Sequence, residues 1–190
     1  MPERKLDGIR VAILVDTDFE QVELTEPRKA LEEAGATCRI VSPIWELRGM
    51  HHDEKADEFK ADFLLDQVTA DEFDAVLCPG GALNADSLRV HPKAQEFVRK
   101  MNSDGKPMAV ICHAPWLLVS AGLARGRRLT CYHTIADDVR NAGSLYEDRE
   151  VIRDGNLVTS RQPSDIPAFN REMISLFAEG VQVERAPRAA

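Results

Sequence analysis

The sequence predicts an α/β fold with a mostly parallel sheet. Three observations lead there. Short apolar runs alternate with amphipathic stretches along the chain, glycines stand where helices should close, and a single cysteine sits where a strand meets a helix start. At 190 residues the chain fits one domain with a sizeable core, residues 1–190, ending in a loose tail over 180–190. A hydrophobic share of 44% with a charged share of 29% is the composition of a folded globular chain.

The elements follow in order. Arg10 to Val15 reads as a first strand and Glu20 to Ala34 as its helix, with Gly35 placed for a C-cap. Thr37 to Ser42 is a second strand, stopped by Pro43. Residues 44–67 are mixed and polar, so an irregular segment or short hairpin is expected. Ala75 to Leu77 is a brief buried strand, and Cys78-Pro79-Gly80-Gly81 a loop. Pro92 to Asn102 has helical spacing with proline in the first turn. The strand ending at Ile111 then leads into an apolar helix, Pro115 to Ala121. Thr134 to Asn141 is a short helix, and Val151 to Ser160 a pair of strands around Asp154-Gly155. Ser164 can cap a last helix, Ile166 to Ala178.

Bulk charge excludes several function classes. A net charge of -8 without a basic stripe disfavours nucleic acid and anionic membrane surfaces. The first residues carry no signal-peptide core, and no apolar run reaches the length of a membrane span, so a cytoplasmic location is expected. Cys38, Cys78, Cys112 and Cys131 form no C-x-x-C pair, which argues against a zinc site or a thioredoxin-like motif. His51-His52-Asp53-Glu54 reads as a solvated loop, because adjacent histidines point apart on any regular element. Neither phosphate-loop pattern occurs around Gly80-Gly81, and no cofactor or metal is expected.

Cys112 is the residue with chemistry. A strand that turns sharply into a helix at a nucleophile exposes its side chain at the sheet edge and directs helix N–H groups at it, which should lower the thiol pKa. His113 follows directly, but neighbouring side chains usually diverge, so adjacency alone does not make it a general base. Its peptide N–H could serve an oxyanion, and Gly80-Gly81 could bring a second N–H close because no Cβ intervenes. A buried structural thiol stands against this reading with similar weight.

The chain resembles the PfpI family of intracellular cysteine proteases and amidases, within the class I glutamine amidotransferase-like superfamily that includes a protein deglycase. The marks are Asp18-Phe19-Glu20-Gln21-Val22-Glu23-Leu24, Leu77-Cys78-Pro79-Gly80-Gly81, Asn84 to Arg89, Gly105-Lys106-Pro107, Ile111-Cys112-His113, Asn141-Ala142-Gly143 and Thr159-Ser160-Arg161. The resemblance implies a flavodoxin-like sandwich with helices on both faces and a nucleophile elbow. It makes Cys112 the nucleophile, His113 its acid/base neighbour, and Gly81 and His113 the oxyanion donors. It sets Glu20 against the sulfur as a protonated carboxyl, brings Asp86 from a second subunit to orient His113, and places Tyr132 beside the site. His133, next to Tyr132, is a pocket-edge histidine with a secondary acid/base possibility. Two departures stand out: Ala114 where the family commonly has glycine, whose methyl could narrow the approach to the sulfur, and His133 where many members have proline.

The functions implied are a stress-protection hydrolase acting on carbonyl adducts of proteins or small dicarbonyls, an intracellular peptidase or amidase, or a redox-sensing stress protein or holdase with Cys112 as sensor. The partners implied are a small carbonyl or peptide substrate and a second copy of the chain, in a homodimer or larger homo-oligomer. Cys78 or Cys131 could act as a resolving thiol after oxidation. Glutaminase activity is disfavoured, because no H-x-E pair follows Cys112.

Overall fold

Alternate residues of the first strand, β1 (Arg10–Leu14), are buried on opposite sides: Val11 and Ile13 join one core, Ala12 and Leu14 another. A strand apolar on both faces must lie between two helical layers, and that is the architecture of the computed structural model, which describes residues 5–185 and their side chains to Gly180. β1 leads through the two-residue strand β2 (Phe19–Glu20) into α1 (Gln21–Glu33), then β3 (Thr37–Ser42). A hairpin follows, β4 (Glu46–His51) and β5 (Glu54–Lys60), and then the short edge strand β6 (Phe63–Leu64). The mixed segment is therefore mostly a hairpin, and its β4 pairs with β2.

Next come β7 (Ala75–Cys78), α2 (Ala82–Arg89), α3 (Pro92–Ser103), β8 (Met108–Ile111) and α4 (Pro115–Ser120). The chain continues through β9 (Arg128–Leu129), α5 (Ala136–Asn141), β10 (Leu145–Tyr146), β11 (Val151–Asp154), β12 (Leu157–Ser160) and α6 (Ile166–Arg185). The central sheet has the order β11-β12-β8-β7-β1-β3-β6, parallel except for the β11–β12 hairpin. Leu24, Leu31, Phe169, Met173 and Phe177 of α1 and α6 pack one face, while Phe97, Met101, Leu117 and Leu118 of α3 and α4 pack the other.

The last helix runs on past Gly180 to Arg185, where the sequence suggests a tail from residue 180. Gly180 itself lies under Pro107, whose Cδ would stand 3.0 Å from an added Cβ, so the glycine permits close packing instead of ending the helix. The remainder of the expected tail, 186–190, lies outside the described residues, as do residues 1–4. Among the described residues no helix is long and apolar enough to cross a membrane.

The strand order fixes where a site can form. From β1 the chain goes one way to β3 and later returns to β7 on β1's other side, so the connections diverge between β1 and β7. The crevice at the carboxyl ends of strands at such a switch point is the usual ligand position in α/β sheets. The loops after β1, β7 and β8 all open there.

Candidate active site

Cys112 follows β8 directly, with φ at 65°, a left-handed conformation that costs a non-glycine residue energy and needs outside support. Its N–H donates to the Ser160 carbonyl at 3.0 Å, and its carbonyl accepts from Tyr132 N–H at 2.8 Å. Held at both ends, the residue turns its side chain into a pocket of about 180 Å³ lined by residues including Glu20, Glu23, Gly81, Leu83, His113 and Tyr132.

His113 does reach the thiol. The sharp turn swings its ring back, so that Nδ1 lies 3.2 Å from Cys112 Sγ and Nε2 lies 3.2 Å from Thr134 Oγ1. A tautomer protonated at Nε2 donates to Thr134 and leaves Nδ1 to accept from the thiol. The ring lies 4.8 Å from that of Tyr132, which is in turn 4.4 Å from that of the exposed His133. Burial lowers the His113 pKa below its usual 6.5, and the nearby His133 lowers it further.

The carboxyl against the sulfur is Glu23, which corrects the expectation for Glu20. Phe19 and Glu20 lie on the short strand β2, where successive side chains point to opposite sides. Phe19 takes the inward direction and is fully buried. Glu20 is sent to the pocket rim, where its Oε2 accepts the His52 N–H at 3.0 Å. Glu23, three residues later in the first turn of α1, points inward and is 0% exposed.

Its Oε2 accepts the Gly80 N–H at 3.0 Å, while Oε1 has no nitrogen or oxygen partner and belongs to the group that meets Cys112. Burial raises the Glu23 pKa to about 8, so the group is protonated at neutral pH. Glu20, on β2, and Glu23, in the first turn of α1, lie three residues apart, and the inward turn of Phe19 decides which of them meets the sulfur.

The thiol also departs from expectation. Burial pushes the Cys112 pKa up, and the charge of an ionised Glu23 pushes it further, while the N–H groups of Gly81 and His113 pull it down. α4 is only six residues long and begins three residues after Cys112, so its dipole does not offset burial at 5% exposure. Two acids in contact do not ionise together. The pair therefore carries at most one negative charge at neutral pH.

Gly80 and Gly81 make the close approach possible. A Cβ on Gly80 would stand 2.6 Å from Cys112 Cβ and 2.8 Å from the Ile111 carbonyl oxygen. Gly81, at φ 93°, would bring a Cβ within 2.5 Å of the Glu20 nitrogen. Its N–H and that of His113 both face the sulfur.

Asp86 lies exposed on α2 and is not among the residues lining the pocket of its own chain. The same helix carries Leu83, 60% exposed, with Val90, 69% exposed, just beyond its end. Ala114 does not narrow the approach to the sulfur, because its methyl is buried in the core with Leu117 and Leu118 and lines no part of the pocket. Cys78 packs in that core too, Cys131 in another with Leu129 and Val139, and both are fully buried with pKa values raised to about 12 by burial. Neither has the accessible thiolate that a resolving partner needs.

Asp18, Met50, His52, Thr134 and Pro163 were not predicted as site residues, yet all but Thr134 line the pocket and Thr134 holds His113. The supposed solvated loop contributes His52. Among the described residues no group of three or more histidine, cysteine, aspartate or glutamate side chains is disposed to hold a metal ion.

Fold and site together define a mostly parallel α/β protein with a cysteine at a strand-to-helix elbow, a histidine on its sulfur and a buried acid beneath it. The chain belongs to the DJ-1/PfpI family, whose profile matches residues 9–176. It is 42% identical over 169 residues to Deglycase PfpI of Pyrococcus furiosus, an alignment covering 89% of this chain and 99% of that protein. It is also 42% identical over 171 residues to Protein/nucleic acid deglycase 2 of Escherichia coli, covering 88% and 97%. Among solved structures, Drosophila melanogaster DJ-1beta superposes with a TM-score of 0.81 at 27% identity, covering 92% of this chain and 94% of that one.

Proposed function

We propose that the protein is a cysteine-dependent hydrolase that removes carbonyl adducts from proteins or consumes small dicarbonyls. The observation that carries this reading is the 3.2 Å approach of His113 Nδ1 to Cys112 Sγ inside a pocket with two N–H groups on the sulfur. The thiol proton passes to Nδ1 as the sulfur adds to the substrate carbonyl carbon. Negative charge then develops on the carbonyl oxygen, where the N–H groups of Gly81 and His113 stabilise it. Protonated Glu23 offers the thiolate a hydrogen bond and no opposing charge. The imidazolium returns its proton to the oxyanion, giving a hemithioacetal. A proton shift from that carbon to the neighbouring carbonyl carbon leaves a thioester, which water hydrolyses to a hydroxy acid and the free thiol. An adduct enters the same sequence as its amine is released from the attacked carbon. The deglycase names of the relatives support the substrate class.

Asp86 enters this proposal from a second subunit. Among the described residues of one chain His113 Nε2 meets only the Thr134 hydroxyl, and the exposed Leu83 and Val90 beside Asp86 suit a homo-oligomer contact. A peptidase or amidase would use the same groups on an acyl carbon. A redox sensor would use Glu23 to hydrogen-bond an oxidised sulfur.

The deciding experiment compares clearance of methylglyoxal adducts with hydrolysis of casein and aminoacyl-coumarins, using native protein and Cys112→Ser. Adduct clearance lost on substitution, with little peptide cleavage, is the expected result. Equal clearance by both proteins ends the hydrolase reading.

A further inference from the structure

Three carboxyl groups line the pocket, those of Asp18, Glu20 and Glu23, and among the described residues no lysine or arginine lines it. They are not equivalent. Asp18 is neutralised by Arg48, which reaches its Oδ1 from Nη2 at 2.6 Å and from Nε at 2.8 Å. Glu23, with Oε1 buried and without a nitrogen or oxygen partner, is held protonated by burial.

Glu20 is different. It occupies the N-cap position of α1, but its side chain makes no capping bond to that helix. Among the described residues its one short side-chain hydrogen bond is to the His52 N–H, and the His52 ring, 86% exposed, stands 3.9 Å away. The Glu20 side chain is itself only 12% exposed, so its charge faces the pocket with less water around it than a surface carboxylate has.

We propose that Glu20 is a specificity residue that draws cationic substrates to Cys112 and turns anionic ones away. This rests on the hydrolase reading for its biological meaning: the favoured adducts are those on a guanidinium or ammonium side chain that keeps its positive charge, ahead of neutral adducts on a thiol. The electrostatic claim itself needs no turnover.

The test uses thiol-modifying reagents of opposite charge and equal chemistry: the trimethylammonioethyl and sulfonatoethyl methanethiosulfonates. Cys38, Cys78 and Cys131 are buried, and Cys112→Ser identifies which modification belongs to Cys112. The readout is the ratio of cationic to anionic reagent rates. A unit charge about 6 Å from the reacting atom, screened as in bulk water, changes that ratio about tenfold. Glu20→Gln keeps an acceptor for the His52 N–H and should lower the ratio by about that factor. Raising ionic strength from about 0.02 to 0.5 M should shrink the native ratio with no substitution at all.

An unchanged ratio in Glu20→Gln, or a native ratio indifferent to salt, overturns the proposal. Charge selection that survives while Cys112→Ser still clears adducts would instead remove the hydrolase reading and leave Glu20 as a charge filter. As a substrate-level check, adducts of methylglyoxal with N-acetylarginine amide and N-acetylcysteine amide should differ in KM in the native protein, and Glu20→Gln should close that gap.

Discussion

Glu23 accepts the N–H of Gly80 at 3.0 Å directly beneath the nucleophile, so the buried acid and the glycine loop hold each other in place. The loop then presents the next N–H, that of Gly81, to the sulfur. Placement of the acid and placement of the oxyanion donor are thus one structural event.

Glu23 makes stability depend on pH. Its folded pKa of about 8 lies above the ordinary 4.5, so between these values the folded state binds more protons than the unfolded one. Stability from this group is therefore present below pH 4.5 and lost as pH rises toward 8, by ~3–5 kcal/mol in full. Glu23→Gln should flatten that decline. Urea midpoints at pH 5 and pH 8 check it, and parallel declines in both proteins would refute it.

Gly80→Ala should damage fold and activity together. The added methyl meets Cys112 Cβ, the Ile111 carbonyl and Glu23 Oε2, none of which is a loose surface group. A cost of about 2–3 kcal/mol is expected from overpacking, read as a fall in the thermal midpoint, with Cys112 alkylation kinetics altered in the protein that folds.

His113→Gln should lower kcat by about 10²–10⁴, the usual contribution of a positioned acid/base. Because burial holds the His113 pKa below 6.5, the native acid limb of kcat/KM lies below that pH. Removing the neighbouring charge with His133→Ala should move the limb upward. A pH–rate profile in both proteins shows the direction, and a downward move would contradict the assignment.

Asp86→Asn should leave the monomer fold intact and lower turnover in the assembled protein. Leu83→Glu, on the same exposed helix surface, should shift the gel-filtration volume toward the monomer and lower turnover with it. A native protein that elutes as a monomer at assay concentration would remove Asp86 from the site.

The layered architecture was legible because β1, β7 and β8 carry short apolar runs whose burial on both faces demands helices above and below. α2 was missed: the glycine pair before it read as loop, and Ala82 to Arg89 is too short to show periodicity. The elbow at Cys112 and the peptide N–H groups of His113 and Gly81 were expected from the turn and the loop, whereas the approach of the His113 ring was implied only by the family resemblance. The choice of Glu23 over Glu20 was not legible, because it depends on which way a two-residue strand turns its side chains. Thr134 and His52 were hidden for a simpler reason. Each is brought to the site by pairing between segments far apart in sequence, and no local pattern records that.

That dispersal has a consequence for how the protein gains and loses its chemistry. The pocket draws on segments within 18–23, 50–52, 81–83 and 112–113 and on Tyr132 and Pro163, joined only when β1, β7, β8 and β12 stand side by side. No fragment short of the assembled sheet brings Cys112 and His113 together with the Glu23 carboxyl and the Gly81 N–H. A nascent or partly unfolded chain therefore lacks the assembled site, and recovery of Cys112-dependent turnover after dilution from denaturant should keep time with the slow, long-range step of folding instead of with early helix formation.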